Sequence, residues 1–165
     1  LEFSQRQTGY AVMLALDLAK AFVNVSPIIL MPALARFGIP GHFADAVRAI
    51  YADRYFRVRA AGQTSEPWPQ AFGVYQGCPV SPFLFSIVMT VLLHDASQAF
   101  VAHGLTQDAR IPVSELIYAD DTLVVGVSDD FVSKLIRAIQ VAGSNYGLAF
   151  NWSKLDAYQY VAIHV

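Results

Sequence analysis

At 165 residues, with 55% hydrophobic and 15% charged residues, the chain is long enough to bury a core and too apolar to be disordered. A net charge of −2 excludes a broad positive field, so any contact with nucleic acid must be local or lie on other parts of a longer protein. One cysteine, Cys78, excludes an internal disulfide, and the longest apolar run, Phe83 to Leu93, interrupted by Ser86 and Thr90, falls short of the ~20 residues that span a bilayer.

The first residues, Leu1-Glu2-Phe3-Ser4-Gln5-Arg6, carry no initiating Met and no signal-peptide layout, so the chain reads as a piece of a longer intracellular protein. Residues 10–17 form a buried-looking strand that runs into Asp17. Ser26 is a fitting N-cap with Pro27 in the first turn, and that helix should stop at Gly38. A second helix is expected over 42–53, carrying Phe43, Val47, Ile50 and Tyr51. Tyr55 to Ala60 alternates, Gly62-Gln63-Thr64 turns, and Trp68 to Val74 returns, which predicts a hairpin. Arg57 and Arg59 share one face of it, where a solvated strand face is favoured over phosphate contact.

Ser81-Pro82 repeats the cap-then-proline start, and Leu84, Ile87, Val88, Val91 and Leu92 recur at helical spacing up to about Phe100. Strands near 113–119 and 122–127 then form a hairpin with Asp120-Asp121 at its bend. Ser128 or Asp129 caps a helix containing Phe131, Leu135, Ile136 and Ile139, which Gly147 ends. Short strands near 148–150 and 157–163 close the chain. The order predicts an α+β domain over 1–165: an antiparallel sheet with helices packed on one face.

The chemistry concentrates in Leu116-Ile117-Tyr118-Ala119-Asp120-Asp121-Thr122-Leu123-Val124-Val125. Two adjacent carboxylates between apolar runs resist joint ionisation unless something positive neutralises them, and a divalent metal does so. Asp17 supplies a third acid at another strand end, and three carboxylates so placed suit two-metal phosphoryl transfer. The plain alternative makes the doublet a solvated hairpin turn and Asp17 an ordinary strand end. His42, His94, His103 and His164 lack metal-ligand spacing, and Cys78 has no base partner in the sequence.

Four segments in order resemble reverse transcriptases. Leu16-Asp17-Leu18-Ala19-Lys20-Ala21-Phe22 is similar to their first acidic motif, and Gln76-Gly77-Cys78-Pro79-Val80-Ser81-Pro82 resembles their glutamine-glycine motif. Tyr118-Ala119-Asp120-Asp121 looks like the tyrosine-x-Asp-Asp box, and Gly147-Leu148-Ala149-Phe150-Asn151-Trp152-Ser153-Lys154 resembles the downstream Gly-Leu…Asn…Lys motif. The wording is most like retrotransposons without long terminal repeats, with group II intron proteins near neighbours.

The resemblance implies a polymerase palm of ferredoxin-like character, with little of the fingers and no thumb, copying an RNA template onto a DNA primer with dNTPs and with no membrane role. It implies two Mg2+ ions, with Mn2+ as an alternative, held by Asp17, Asp120 and Asp121. Phe22 would lie under the sugar and exclude a ribose 2′-hydroxyl, and Ala19 would pass near the triphosphate. Gln76 and Gly77 would line the template and nascent base pair. Tyr118 would sit under the primer end, and Lys154 would reach the triphosphate, although a core aromatic and a solvated lysine fit those two nearly as well. Val23 stands where the family usually has aspartate and Tyr75 where it often has arginine. Those departures keep open a degenerate, non-catalytic palm copy. An RNA-templated RNA polymerase, the other rival, would need a small polar residue in place of Phe22.

Overall fold

The computed structural model describes residues 10–70, 73–74, 77–102, 115–118, 121–126 and 128–161. They fall into two compact units, Leu1–Ala21 with Leu92–Val165, and Phe22–Val91.

The first unit is built on a four-stranded antiparallel sheet. Strand β1 (Tyr10–Asp17) lies between β7 (Asp121–Gly126) and β8 (Asp156–Val161), and β6 (Glu115–Tyr118) pairs with the outer side of β7. Because side chains alternate across a strand, register decides which residues share a face. Val12 pairs with Gly126, Leu14 with Val124 and Leu16 with Thr122, and Val12, Leu14, Leu16, Thr122 and Val124 are 6% exposed or less. Each aliphatic side chain so buried contributes roughly 1.5–3 kcal/mol. The opposite face carries Met13, Ala15 and Asp17, all half-buried.

Helix α5 (Asp129–Asn145) covers the buried face. Ser128 caps it by accepting the Phe131 amide at 3.2 Å, and Asp129 and Asp130 meet the positive end of its dipole. Val132, Leu135, Ile139, Ala142 and Gly143 form its buried stripe. Gly126 lets it dock: a Cβ there would stand 2.5 Å from Val132 Cγ2 and 2.7 Å from Phe131 Cδ1. At the far end Gly147 turns left-handed (φ 69°) while the Leu148 amide donates to Gly143 O at 2.9 Å. The Leu92–Ala102 part of α4 (Ser81–Ala102) packs here too. Phe100 meets Phe131 edge-on at 5.2 Å, and Tyr146 Oη donates to Asp95 Oδ2 at 2.7 Å.

In the second unit, α1 (Ala21–Asn24) leads to α2 (Pro27–Phe37), which has the expected Ser26 cap and stops at a left-handed Gly38. Helix α3 is Gly41–Tyr51. The hairpin is two short ladders, β2 (Tyr55–Phe56) with β5 (Trp68–Pro69) and β3 (Arg59–Ala60) with β4 (Gln63–Thr64). The register sum changes by one between them, so a bulge separates the ladders. Arg57 and Arg59 are exposed. Arg54 is instead buried, with its guanidinium 4.4 Å over the Tyr51 ring, and Tyr51 Oη lies 3.2 Å from Ser81 Oγ. The return continues past β5: Gly73 donates to Val25 O at 2.9 Å and Val74 to Phe22 O at 2.8 Å. Gly73 has φ 87°, and a Cβ there would sit 3.1 Å from Val23 O.

Three expectations need correction. The strand near 148–150 is a single bridge, Leu18 to Phe150, followed by a 3-10 turn at Trp152–Lys154. The hairpin turn is at 61–62, with Gln63 and Thr64 already in the return strand. The apolar run interrupted by Ser86 and Thr90 belongs to a longer apolar helix, in which their hydroxyls donate to the carbonyls of Pro82 (2.9 Å) and Ser86 (2.8 Å) four residues back. The resulting 22-residue helix, with hydropathy 1.5, is long and apolar enough to cross a membrane by length and composition, although half of that window is buried in the protein, as in a core helix.

Candidate active site

The less buried face of the sheet ends in a row of polar positions. Asp17, the last residue of β1, is the direct antiparallel partner of Asp121, the first residue of β7, and Tyr118 is the register partner of Asp121 on β6. Cβ atoms of directly opposed residues lie ~4.5–5.5 Å apart, and like charges there are mutually destabilising. Asp121 is exposed, whereas the Asp17 side chain keeps only 20% of its surface.

Donors on the connection after α5 crowd Asp17. Asn151 holds it twice: its backbone amide donates to Asp17 O at 2.8 Å, and its Nδ2 donates to Asp17 Oδ2 at 3.1 Å. Lys154 Nζ lies 3.4 Å from Oδ1 and 3.3 Å from Oδ2, with its own side chain 64% exposed. Position 154 is there because the β1–β8 register, continued from Ala15 opposite Asp156, sets it beside Asp17. A 3-10 turn, Trp152–Lys154, stands there before β8 begins at Asp156. Lys154 was expected near a triphosphate; here it is the ion-pair partner of Asp17. In the sequence Asn151 is marked only by its place in the Gly147–Lys154 segment.

The other expected residues divide. The Ala19 amide donates to Ala149 O at 2.9 Å, so that N–H is occupied within the protein. Gly77 is exposed and left-handed (φ 87°), with open space where a Cβ would be. Phe22 belongs to the second unit, where its half-buried ring stacks on Phe85 at 4.6 Å and 18°. Asp120 and Gln76 lie outside the described residues, and Tyr118 is described only in its backbone.

Among the described residues no group of three or more His, Cys, Asp and Glu is placed to hold a metal. The pair that is described nonetheless suits a hard divalent cation. It offers carboxylate oxygens only, Asp121 is open to solvent, and a cation between the acids turns their repulsion into attraction.

The sequence model of the family described as reverse transcriptase (RNA-dependent DNA polymerase) matches residues 1–163. A retrovirus-related Pol polyprotein from the type-1 retrotransposable element R2 of Popillia japonica is 31% identical over 113 residues, 68% of this chain and 18% of that protein. The type-2 R2DM Pol polyprotein of Drosophila melanogaster is 32% identical over 131 residues, 78% of this chain and 12% of that protein. This chain thus spans less than a fifth of either relative. Among solved structures, apo telomerase from Candida tropicalis, truncated from its C-terminal domain, superposes with TM-score 0.70 at 15% identity, covering 97% of this chain and 32% of that one. The RNA-dependent RNA polymerase of a human picobirnavirus gives TM-score 0.57 at 18% identity, covering 90% and 26%. Those identities speak for the fold alone: mixed helices and antiparallel sheet, like the palm of these polymerases. With its acids opposed at the sheet end and nearly its whole length matched, the chain belongs to the reverse transcriptase (RNA-dependent DNA polymerase) family.

Proposed function

We propose that this chain is the catalytic palm of a retrotransposon reverse transcriptase, which extends a DNA primer on an RNA template by nucleotidyl transfer from dNTPs. The observation that carries this reading is the direct register of Asp17 with an exposed Asp121. Asp17, Asp121 and Asp120 are the residues that would hold two Mg2+ ions, or Mn2+ in their place. When bound, such ions acidify the primer 3′-hydroxyl and neutralise charge on the triphosphate.

The chain's own residues do the rest. Asn151 keeps the Asp17 carboxylate oriented, and Lys154, on a long exposed stem, is within reach of an anionic leaving group to which it can pass a proton. Phe22, braced on Phe85, presents bulk against a ribose 2′-hydroxyl, which selects dNTPs. Gly77 leaves its backbone open for close approach, and by the family resemblance Gln76 would hydrogen-bond the template or nascent pair and Tyr118 would lie under the primer end. The site of action is intracellular, where RNA and dNTPs are found.

RNA-templated primer extension, comparing wild type with Asp120→Asn and Asp17→Asn, tests the proposal. Both substitutions should abolish extension, and extension equal to wild type would end the catalytic assignment. An RNA-polymerase reading predicts equal use of rNTPs, so the dNTP-to-rNTP incorporation ratio separates the two.

A further inference from the structure

The hydrogen bonds around Asp17 form a directed chain. Ser153 Oγ lies 2.7 Å from Asn151 Oδ1. A carboxylate only accepts, so Asn151 Nδ2 donates to Asp17 Oδ2 at 3.1 Å, and that leaves the amide oxygen to accept from the serine hydroxyl. Reversing the amide would set oxygen against carboxylate oxygen, whereas the serine hydroxyl can bond either end. The backbone closes the same loop: Asn151 N donates to Asp17 O at 2.8 Å, and Lys154 N to Asn151 O at 3.0 Å. Asn151 is half-buried, whereas Lys154, the other group on this carboxylate, is 64% exposed and 3.3–3.4 Å distant. An exposed lysine at that distance holds a carboxylate loosely. A half-buried amide with both ends committed holds it in one orientation.

We infer that Asn151, its amide braced by Ser153, is the positioning residue of Asp17: it fixes the carboxylate rotamer from which Asp17 binds a divalent cation. The inference rests on the proposed function for its metal, but the rotamer it assigns exists without one. Hydrogen-bond partners of metal-binding carboxylates typically change affinity 10–100-fold when removed, with little change in the fold.

Two measurements on the 165-residue chain test it. Three-bond couplings between the α and β protons of Asp17 report a single rotamer in wild type and are expected to average in Asn151→Ala. Titration with Mn2+ alone, followed by loss of the free-ion electron-spin signal, is expected to show a dissociation constant about tenfold higher in Asn151→Ala at an unchanged melting temperature. Ser153→Ala, which removes only the brace on the Asn151 amide, should raise it about threefold. Unaveraged couplings in Asn151→Ala, or wild-type Mn2+ affinity in that variant, would overturn the inference. If Asn151→Ala melts early, Ser153→Ala decides by the same two readouts. Mn2+ binding that survives Asp17→Asn, or no Mn2+ binding by wild type, would count against the proposed function, and the couplings would still judge Asn151.

Discussion

Replacing Asp121 with asparagine should make the metal-free protein slightly more stable while removing its response to metal. Asp17 and Asp121 are opposed in register, and like charges so placed cost ~0.2–1 kcal/mol. Lys154 offsets part of Asp17's charge at 3.3 Å and solvent screens the exposed Asp121, so about 0.5 kcal/mol is expected from neutralising one partner. For a chain of this size that is a rise of about 1–2 °C in melting temperature. Wild type should instead gain from Mg2+. At tenfold the dissociation constant, linkage gives about 1.4 kcal/mol, or about 3–6 °C. Thermal melts of both proteins in EDTA and in a Mg2+ series measure the two effects at once. A variant that melts lower than wild type in EDTA would refute the opposed-charge account. A variant that climbs with Mg2+ as steeply as wild type would show that Asp121 does not help to hold the ion.

Three further outcomes follow from single contacts. Gly126→Ala puts a Cβ inside 3 Å of Val132 and Phe131, so calorimetry should find the protein about 1–3 kcal/mol less stable, through α5 lifting from the sheet. Phe22→Val keeps an apolar group against Phe85 but removes the ring, and the dNTP-over-rNTP preference in primer extension should drop roughly tenfold. Lys154→Met breaks an exposed ion pair, so stability should change by less than about 0.5 kcal/mol, whereas kcat for extension should fall by about 10² or more with KM little altered.

Where local chemistry decides structure, the sequence was readable. Ser26, Pro27 and Gly38 bounded a helix correctly because capping and left-handed termination act within a few residues. The strand ending at Asp17 and the one starting near Asp121 were legible from apolar runs. Their mutual register depends on pairing across more than a hundred residues, and only the family resemblance suggested it. The helix through Ser86 and Thr90 was legible from spacing, but its apolar length was not, because a hydroxyl that bonds back to its own helix counts as a polar break in composition. The 3-10 turn at Trp152–Lys154 was unreadable for a related reason. It precedes β8 where Asn151 is tied to the Asp17 carbonyl, so its shape answers to tertiary placement as well as to its own residues. Asn151 belongs to that class: an asparagine in a connecting segment looks like an ordinary turn residue until its amide is found on a carboxylate.

The departure at Val23 bears on whether this is a working enzyme or a degenerate copy. Val23 is 47% exposed, and what the fold uses at that position is backbone: a Cβ on Gly73 would stand 3.1 Å from Val23 O and 3.2 Å from Val23 Cα. The neighbouring bonds from Gly73 to Val25 O and from Val74 to Phe22 O are also made by main chain, so Phe22 is held without help from the side chain at 23. Substituting an exposed valine with an acid at such a place should change stability by no more than about 0.5 kcal/mol. Val23→Asp, the family's usual residue, is therefore expected to leave both the melting temperature and primer extension near wild type. A large gain in extension with Val23→Asp would mean that the valine had disabled the loop, and the degenerate-copy reading would then be the better one. If extension is unchanged, Val23 no longer favours that reading, and the acids at the end of the sheet decide the matter.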